Sequence, residues 1–167
     1  EAQDIGAVNT IKFENGKLTG FNTDHFGFEN SLKPHLKPHH KSALILGTGG
    51  ASKAIAFALK KLGIHYEYVS RTASAVTKIT YESLAKEGLK NYQIIINCTP
   101  IGTFPNLNKC PAIPYEDISS THLLYDLIYN PEETLFLKNG KANNAVTLNG
   151  LEMLRLQAEK SWEIWNS

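Results

Sequence analysis

Residues 44–59 read LILGTGGASKAIAFAL, an aliphatic run that breaks into Gly-Thr-Gly-Gly and passes with no turn residue into an alanine-rich run. This corner restricts the fold more than any other stretch of the chain. A strand that runs through glycines straight into a helix leaves the first helical amides without partners, and the helix dipole adds positive potential at the same point. Such an end favours an anion. Gly47 permits the tight turn, and Gly49 lets a phosphate approach the backbone. Thr48, Gly50 and Ala51 complete the loop. Position 52 is Ser instead of a third glycine, so the pattern alone also fits a strand-to-helix turn that binds nothing.

The end of the next strand carries a second clue. In a dinucleotide-binding unit an acidic residue at that tip holds the ribose diol, whereas an Arg accepts a 2′-phosphate. Here the tip reads Ser70-Arg71-Thr72, without a carboxylate. A guanidinium flanked by two hydroxyls suits a phosphate and favours NADP over NAD. An exposed loop Arg with no ligand is the competing reading.

Around this corner the apolar runs YEYVSR, YQIIINCT, LLYDLIY and NAVTLNG read as further strands. Helices are expected over 51–62, in ETLFLKNGK up to Gly140, and over the amphipathic C-terminal segment. That last helix is expected to bury Leu151, Leu154, Ala158, Trp162 and Trp165. Continuous apolar strands alternating with helices predict an α/β fold, a doubly wound parallel sheet covered on both faces. Before it, two β-prone runs flank Asn15-Gly16, the strongest short hairpin signal, and predict a hairpin of Val8–Phe13 with Leu18–Asn22. A short helix follows Asp24. Pro34 and Pro38 in a histidine-containing linker mark a boundary. The expected division is 1–33, then 34–150, then a seam helix over 151–167.

A net charge of +1 removes the case for a nucleic-acid or membrane surface, and no apolar run approaches the roughly 20 residues of a membrane span. Two cysteines, Cys98 and Cys110, with no secretory signal read as free thiols, so the expected compartment is the cytoplasm. His39-His40 has no companion carboxylate or Cys, and no metal site is expected. The sequence starts with Glu and not Met, in mid-pattern, so a cut N-terminus is expected.

Seven motifs in order now resemble the shikimate dehydrogenase family. They are GAVNT (6–10), G-x-L-x-G-x-NTD (16–24), G-x-GGAS (47–52), xRT (70–72), INxTPxG (96–102), YDxxY (125–129) and NGLxMLxxQA (149–158). The resemblance covers nearly the whole chain. It implies a Rossmann-like NADP-binding domain preceded by a hairpin remnant of a substrate domain, and reduction of 3-dehydroshikimate to shikimate with NADPH in aromatic biosynthesis. Position by position, Asn9, Asp24, Tyr129 and Gln157 match the residues that bind substrate, with Asp24 the catalytic carboxylate. Gly47, Thr48, Gly49, Gly50 and Ala51 match the pyrophosphate loop. Ser70, Arg71 and Thr72 match the 2′-phosphate site, and Leu127 and Gly150 the nicotinamide end.

Ketone reduction needs a hydride and a proton. The resemblance implies a Lys upstream of GAVNT as proton donor, in a motif these 167 residues do not contain, so the chain alone is expected to be inactive. Ala75 stands where the family has a second basic residue, Lys78 is displaced, and 72–81 is short for a helical crossover. His25 replaces the glycine after NTD. Asp24 could instead be a helix cap. A non-catalytic nucleotide-binding module and a dehydrogenase of quinate or another cyclic hydroxy acid are the alternatives. A hairpin stripped of its neighbours has bare edges, so residues 1–23 are expected to be disordered or paired with a second copy in a homodimer.

Overall fold

Alternate residues of the strand Ser42–Leu46 (β3) point into two different cores, Ala43 and Ile45 into one and Leu44 and Leu46 into the other. That is the signature of a sheet covered on both sides. The computed structural model, which describes residues 2–167, places β3 in a six-stranded parallel sheet. Its companions are β4 (His65–Ser70), β5 (Ile79–Thr80), β6 (Ile94–Asn97), β7 (Leu123–Asp126) and β8 (Val146–Leu148), in the spatial order β5-β4-β3-β6-β7-β8. The order reverses between β3 and β6, and in open α/β sheets ligands bind at such a switch point, outside the carboxyl ends of the strands.

One face is covered by α2 (Asp24–Leu32), α3 (Gly50–Lys61) and α6 (Leu151–Asn166) through Phe28, Leu32, Ile55, Leu59 and Met153. The other is covered by α4 (Tyr81–Glu87), α5 (Leu135–Ala142) and the irregular segment 98–122, through Leu84, Phe136, Leu137, Ile113 and Ile118. Both β5 and α4 were outside the expected elements. β5 pairs only with Val69 and Ser70 at the top of β4, so the connection need not descend the sheet, and residues 71–78 suffice. α4 then makes the descent, opened by a reciprocal cap between Thr80 and Ser83.

Two expectations are corrected here. Gly140 lies inside α5, not at its end, because a Cβ there would come within 2.5 Å of Leu124 Cδ2 on β7. The face of α6 differs too: of the five residues expected inside, only Leu154 is half-buried, and Ala158 is exposed. Met153 and Ser161 are buried and Gln157 is half-buried, whereas Leu151, Trp162 and Trp165 are more than half exposed. The cause is a close crossing with α2. A side chain at Gly27 would meet Met153 O at 2.5 Å and Gln157 Cβ at 3.1 Å, so the inward positions of α6 are not those of its apolar stripe.

The hairpin forms from β1 (Thr10–Glu14) and β2 (Lys17–Phe21), with Asn15 (φ 48°) and Gly16 (φ 75°) supplying the two positive-φ positions of a tight turn. A helical turn, α1 (Ala2–Ile5), precedes it. These two strands pair only with each other among the described residues. Within the chain they are tied to α6, and Glu1 lies outside the described residues. Trp165 Nε1 donates to Ile11 O at 2.9 Å, Lys12 reaches the Ser167 carbonyl, and Thr10 meets Ser161. The outer face, with Val8, Ile11, Phe13 and Leu18, is exposed.

Candidate active site

The Gly corner comes first because the sheet fixes it. β3 ends at Leu46, Gly47 turns with φ 101°, and α3 starts at Gly50 with no side-chain cap. A Cβ on Gly47 would stand 3.0 Å from Thr99 Cγ2, so the turn needs glycine on both steric and backbone grounds. Built Cβ atoms on Gly49 and Gly50 meet nothing within 4 Å. Thr48, Gly49 and Gly50 are exposed, and Ala51 follows in the first turn. The uncapped amides of a twelve-residue helix therefore face open space, the arrangement an anion requires.

A cavity of about 500 Å³ opens beside this loop. Gly47, Thr48, Ser70, Arg71, Thr72 and Tyr81 are among its walls. Arg71 is exposed and takes no ion pair or hydrogen bond among the described residues, so its guanidinium is available. Ser70 Oγ donates to Thr72 O within the loop, which places its hydroxyl beside Arg71. Ala75 is exposed on the same loop. These groups fit a ligand with more than one phosphate: uncapped helix amides for a diphosphate, and Arg71 for a further phosphate.

A second cluster is built from both ends of the sequence. Asn9, just before β1, is oriented by the Thr23 backbone N–H, which donates to Asn9 Oδ1 at 2.8 Å. That fixes the amide, so Asn9 Nδ2 faces Asp24 Oδ1, also at 2.8 Å. Its second N–H lies between Thr23 Oγ1 (3.1 Å) and Gln157 Oε1 (3.5 Å). Three of the four expected substrate residues thus come together. The fourth does not: Tyr129 is exposed on the loop after β7, and its hydroxyl makes no hydrogen bond among the described residues. Asp24 does not cap α2. It is the first helical residue, the cap position is Thr23, and Asn22 Oδ1 receives the His25 N–H at 3.3 Å. Burial raises the Asp24 carboxyl above its usual range, opposed by the Asn9 hydrogen bond and then by the charge of His25. His25 itself is buried, edge-on to Phe57 of α3 at 5.3 Å.

Leu127 and Gly150 meet as backbone. A Cβ on Gly150 would fall 2.0 Å from Leu127 O, and Gly150 N–H donates to Ile128 O at 3.0 Å. Sequence reasoning missed what holds this corner. Asp126, fully buried at the end of β7, accepts from Asn97 Nδ2 (3.0 Å), Thr134 Oγ1 (2.6 Å) and Ile128 N–H (3.1 Å). It ties the INxTPxG loop, the YDxxY loop and the start of α5 to one carboxylate. Burial pushes its pKa up to about 6 despite the three donors. The available signal was an Asp inside the apolar run LLYDLIY, where an unpaired charge would be prohibitive. Burial also raises the thiol pKa of Cys98, which follows the end of β6. Cys110 is half-buried, with its Sγ 3.7 Å from Asn139 Nδ2. The described residues form no metal-binding group of His, Cys, Asp or Glu, and none of their helices is long and apolar enough to cross a membrane.

Known proteins are similar to this chain over nearly its whole length. A shikimate dehydrogenase (NADP(+)) of Methanococcus maripaludis strain C6 is 40% identical over 179 residues, covering 99% of this chain and 64% of that protein. The chain is homologous to the shikimate dehydrogenases. The shikimate 5-dehydrogenase of Thermus thermophilus, solved with NADP(H) and shikimate, superposes with a TM-score of 0.83 at 33% identity, over 98% of this chain and 64% of that one. The 5-ketofructose reductase of a Gluconobacter strain superposes at 0.80 with 36% identity, over 98% and 64%. No family model matches. The chain thus spans a little under two thirds of the shikimate dehydrogenases it matches, and its parallel sheet and hairpin correspond to their NADP-binding side.

Proposed function

We propose that the protein to which these residues belong interconverts 3-dehydroshikimate and shikimate with NADP. The observation that carries the reading is the Asn9–Asp24–Gln157 cluster, an amide, a carboxylate and a second amide meeting within 3.5 Å on the cleft side of the hairpin. Such a set matches a polyhydroxylated ring: amide groups hold hydroxyls, and a carboxylate accepts a proton from the one that reacts. The Gly47–Ala51 loop and Arg71 hold the dinucleotide, and Ser70, Thr72, Leu127 and Gly150 complete its two ends. When bound, the nicotinamide supplies the hydride.

Asp24 orients the reacting hydroxyl and holds a neighbouring cation in place. That cation is a Lys from sequence outside these 167 residues, and the carboxylate of the substrate is bound outside them too, with Tyr129 contributing from this chain. Residues 1–33 are read as the remnant of the substrate domain, 34–150 as the NADP-binding domain and 151–167 as the helix at their seam, in a cytoplasmic protein. The rest of the substrate domain would cover Val8, Ile11, Phe13 and Leu18.

A second reading keeps the scaffold and changes the substrate, because a 5-ketofructose reductase of similar identity shares the fold. Calorimetry on this chain separates them. NADP+ binding with shikimate binding favoured over other cyclic or linear polyols supports the first reading. NADP+ binding with a preference for 5-ketofructose supports the second. Absence of NADP+ binding at millimolar concentration overturns both.

A further inference from the structure

We propose that Ser161 is a positioning residue for the cluster: its single hydroxyl clamps Thr10 and Thr23 and thereby sets the distance between Asn9 and Asp24. Each of those threonines is the immediate neighbour of one of the two site residues. Ser161 Oγ lies 2.7 Å from Thr10 Oγ1 and 3.0 Å from Thr23 Oγ1. The backbone at 9–10 and the backbone at 23–24 are therefore pinned to one atom on α6, and α6 also carries Gln157.

The direction of the hydrogen bonds follows from groups that have no choice. The Thr23 backbone N–H can only donate, which fixes Asn9 Oδ1 as acceptor and leaves Asn9 Nδ2 to donate to Asp24 and toward Thr23 Oγ1. At the far end the Gln157 backbone carbonyl can only accept, and Ser161 Oγ donates to it at 2.9 Å. Ser161 is then left with lone pairs for both threonine hydroxyls. The protons run from Asn9 to Thr23 to Ser161 to the carbonyl. Thr10, Thr23 and Ser161 are all buried, so water does not substitute for a missing hydroxyl there. A serine facing inward on α6, where its apolar stripe faces out, is otherwise unexplained by packing.

Ser161→Ala removes the clamp and leaves a good helix former. Thr10 can still turn to Asn9 Oδ1 at 3.2 Å and Thr23 to Gln157 Oε1 at 3.2 Å, so the fold survives while the spacing relaxes. The Asn9 donor holds the Asp24 titration down, so its loosening moves that titration up. The experiment is a carboxyl-carbon NMR titration of Asp24 in this chain, wild type against Ser161→Ala, with the neighbouring His25 followed in the same series. An upward move of the Asp24 midpoint in the variant is expected, because a loosened Asn9 donor stabilises the charged carboxylate less. An unchanged Asp24 midpoint overturns the proposal. The ligand arm rests on the proposed function: shikimate affinity should fall about three- to tenfold with NADP+ affinity unchanged. Equal loss of both affinities would mark Ser161 as merely structural. The ligand arm is read in the protein that carries its whole substrate domain; absence of shikimate binding there would count against the proposed substrate, and the Asp24 titration would still decide the role of Ser161.

Discussion

The Asn9 side-chain amide donates to the Asp24 carboxylate across 2.8 Å, with the amide held in that sense by the Thr23 backbone. A hydrogen bond between the residue entering a hairpin and the residue leaving it for α2 gives the site a rigid base. It also separates two roles that the sequence left in competition for Asp24.

Asp24→Asn in the enzyme carrying its whole substrate domain should lower turnover by about 10²–10⁴-fold, the usual worth of a positioned acid or base. Its melting temperature should stay within a few degrees, because Asp24 makes no cap bond. Steady-state kinetics beside a thermal melt checks this. Near-normal turnover would move the chemistry to another residue.

Arg71→Ala should weaken NADP+ about 10- to 100-fold, as expected for losing a charge-assisted contact to phosphate, and leave NAD+ nearly unchanged. Calorimetry with both dinucleotides reads the difference. An equal loss for both would show that Arg71 does not face the 2′-phosphate.

Asp126 gives a pH signature with a definite sign. Its folded pKa of about 6 stands above the ordinary 3.8, so the folded state holds the proton more tightly. The resulting stabilisation is present below pH 4 and disappears as pH rises through 6, by at most about 3 kcal/mol. Asp126→Asn should lack this decline, so its stability relative to wild type should rise between pH 4 and pH 7. Urea melts across that range test it, and parallel curves for the two proteins would refute it.

His40 and His122 act in the opposite direction. Both are buried, burial lowers both pKa values, and the Nδ1 of each accepts a backbone N–H, from Lys37 and Ser119 respectively. With the folded pKa below 6.5, their stabilisation is complete above 6.5 and is lost as pH falls from there. His122→Asn, whose Oδ1 can take the same N–H, should flatten the acid side of the curve. Proton NMR of the imidazoles should show both midpoints below 6.5.

The sheet was legible because its strands are buried on both faces, which makes runs such as QIIIN continuous and apolar, and the hairpin was legible from Asn15-Gly16. The strand β5 was not, since two residues of pairing leave no periodic signal. The inward face of α6 was misread for a physical reason. Periodicity assigns apolar residues to the inside, but α6 crosses α2 at Gly27, and Met153, Gln157 and Ser161 face inward, the last two held by hydrogen bonds to Asn9, Thr10 and Thr23. The grouping of Asn9, Asp24 and Gln157 came from motif resemblance. No spacing rule joins residue 9 to residue 157. Asp126 lay inside the YDxxY motif with no role assigned to it, Ser161 lay outside every motif, and both roles became visible only through their hydrogen-bond partners.

The bonds from Trp165 to Ile11 and from Ser161 to Thr10 fasten the last helix to the first strand, and neither passes through the sheet. The part of the site proposed to take substrate is therefore a clasp between the hairpin and the last helix, with its own opening free energy, smaller than that of the core behind it. The dinucleotide corner, embedded between β3 and α3, has no such hinge. Under mild denaturation or a few residues of C-terminal trimming, the chain should lose its hold on a polyol while still recognising a nucleotide, so that the two binding functions fail in sequence and not together.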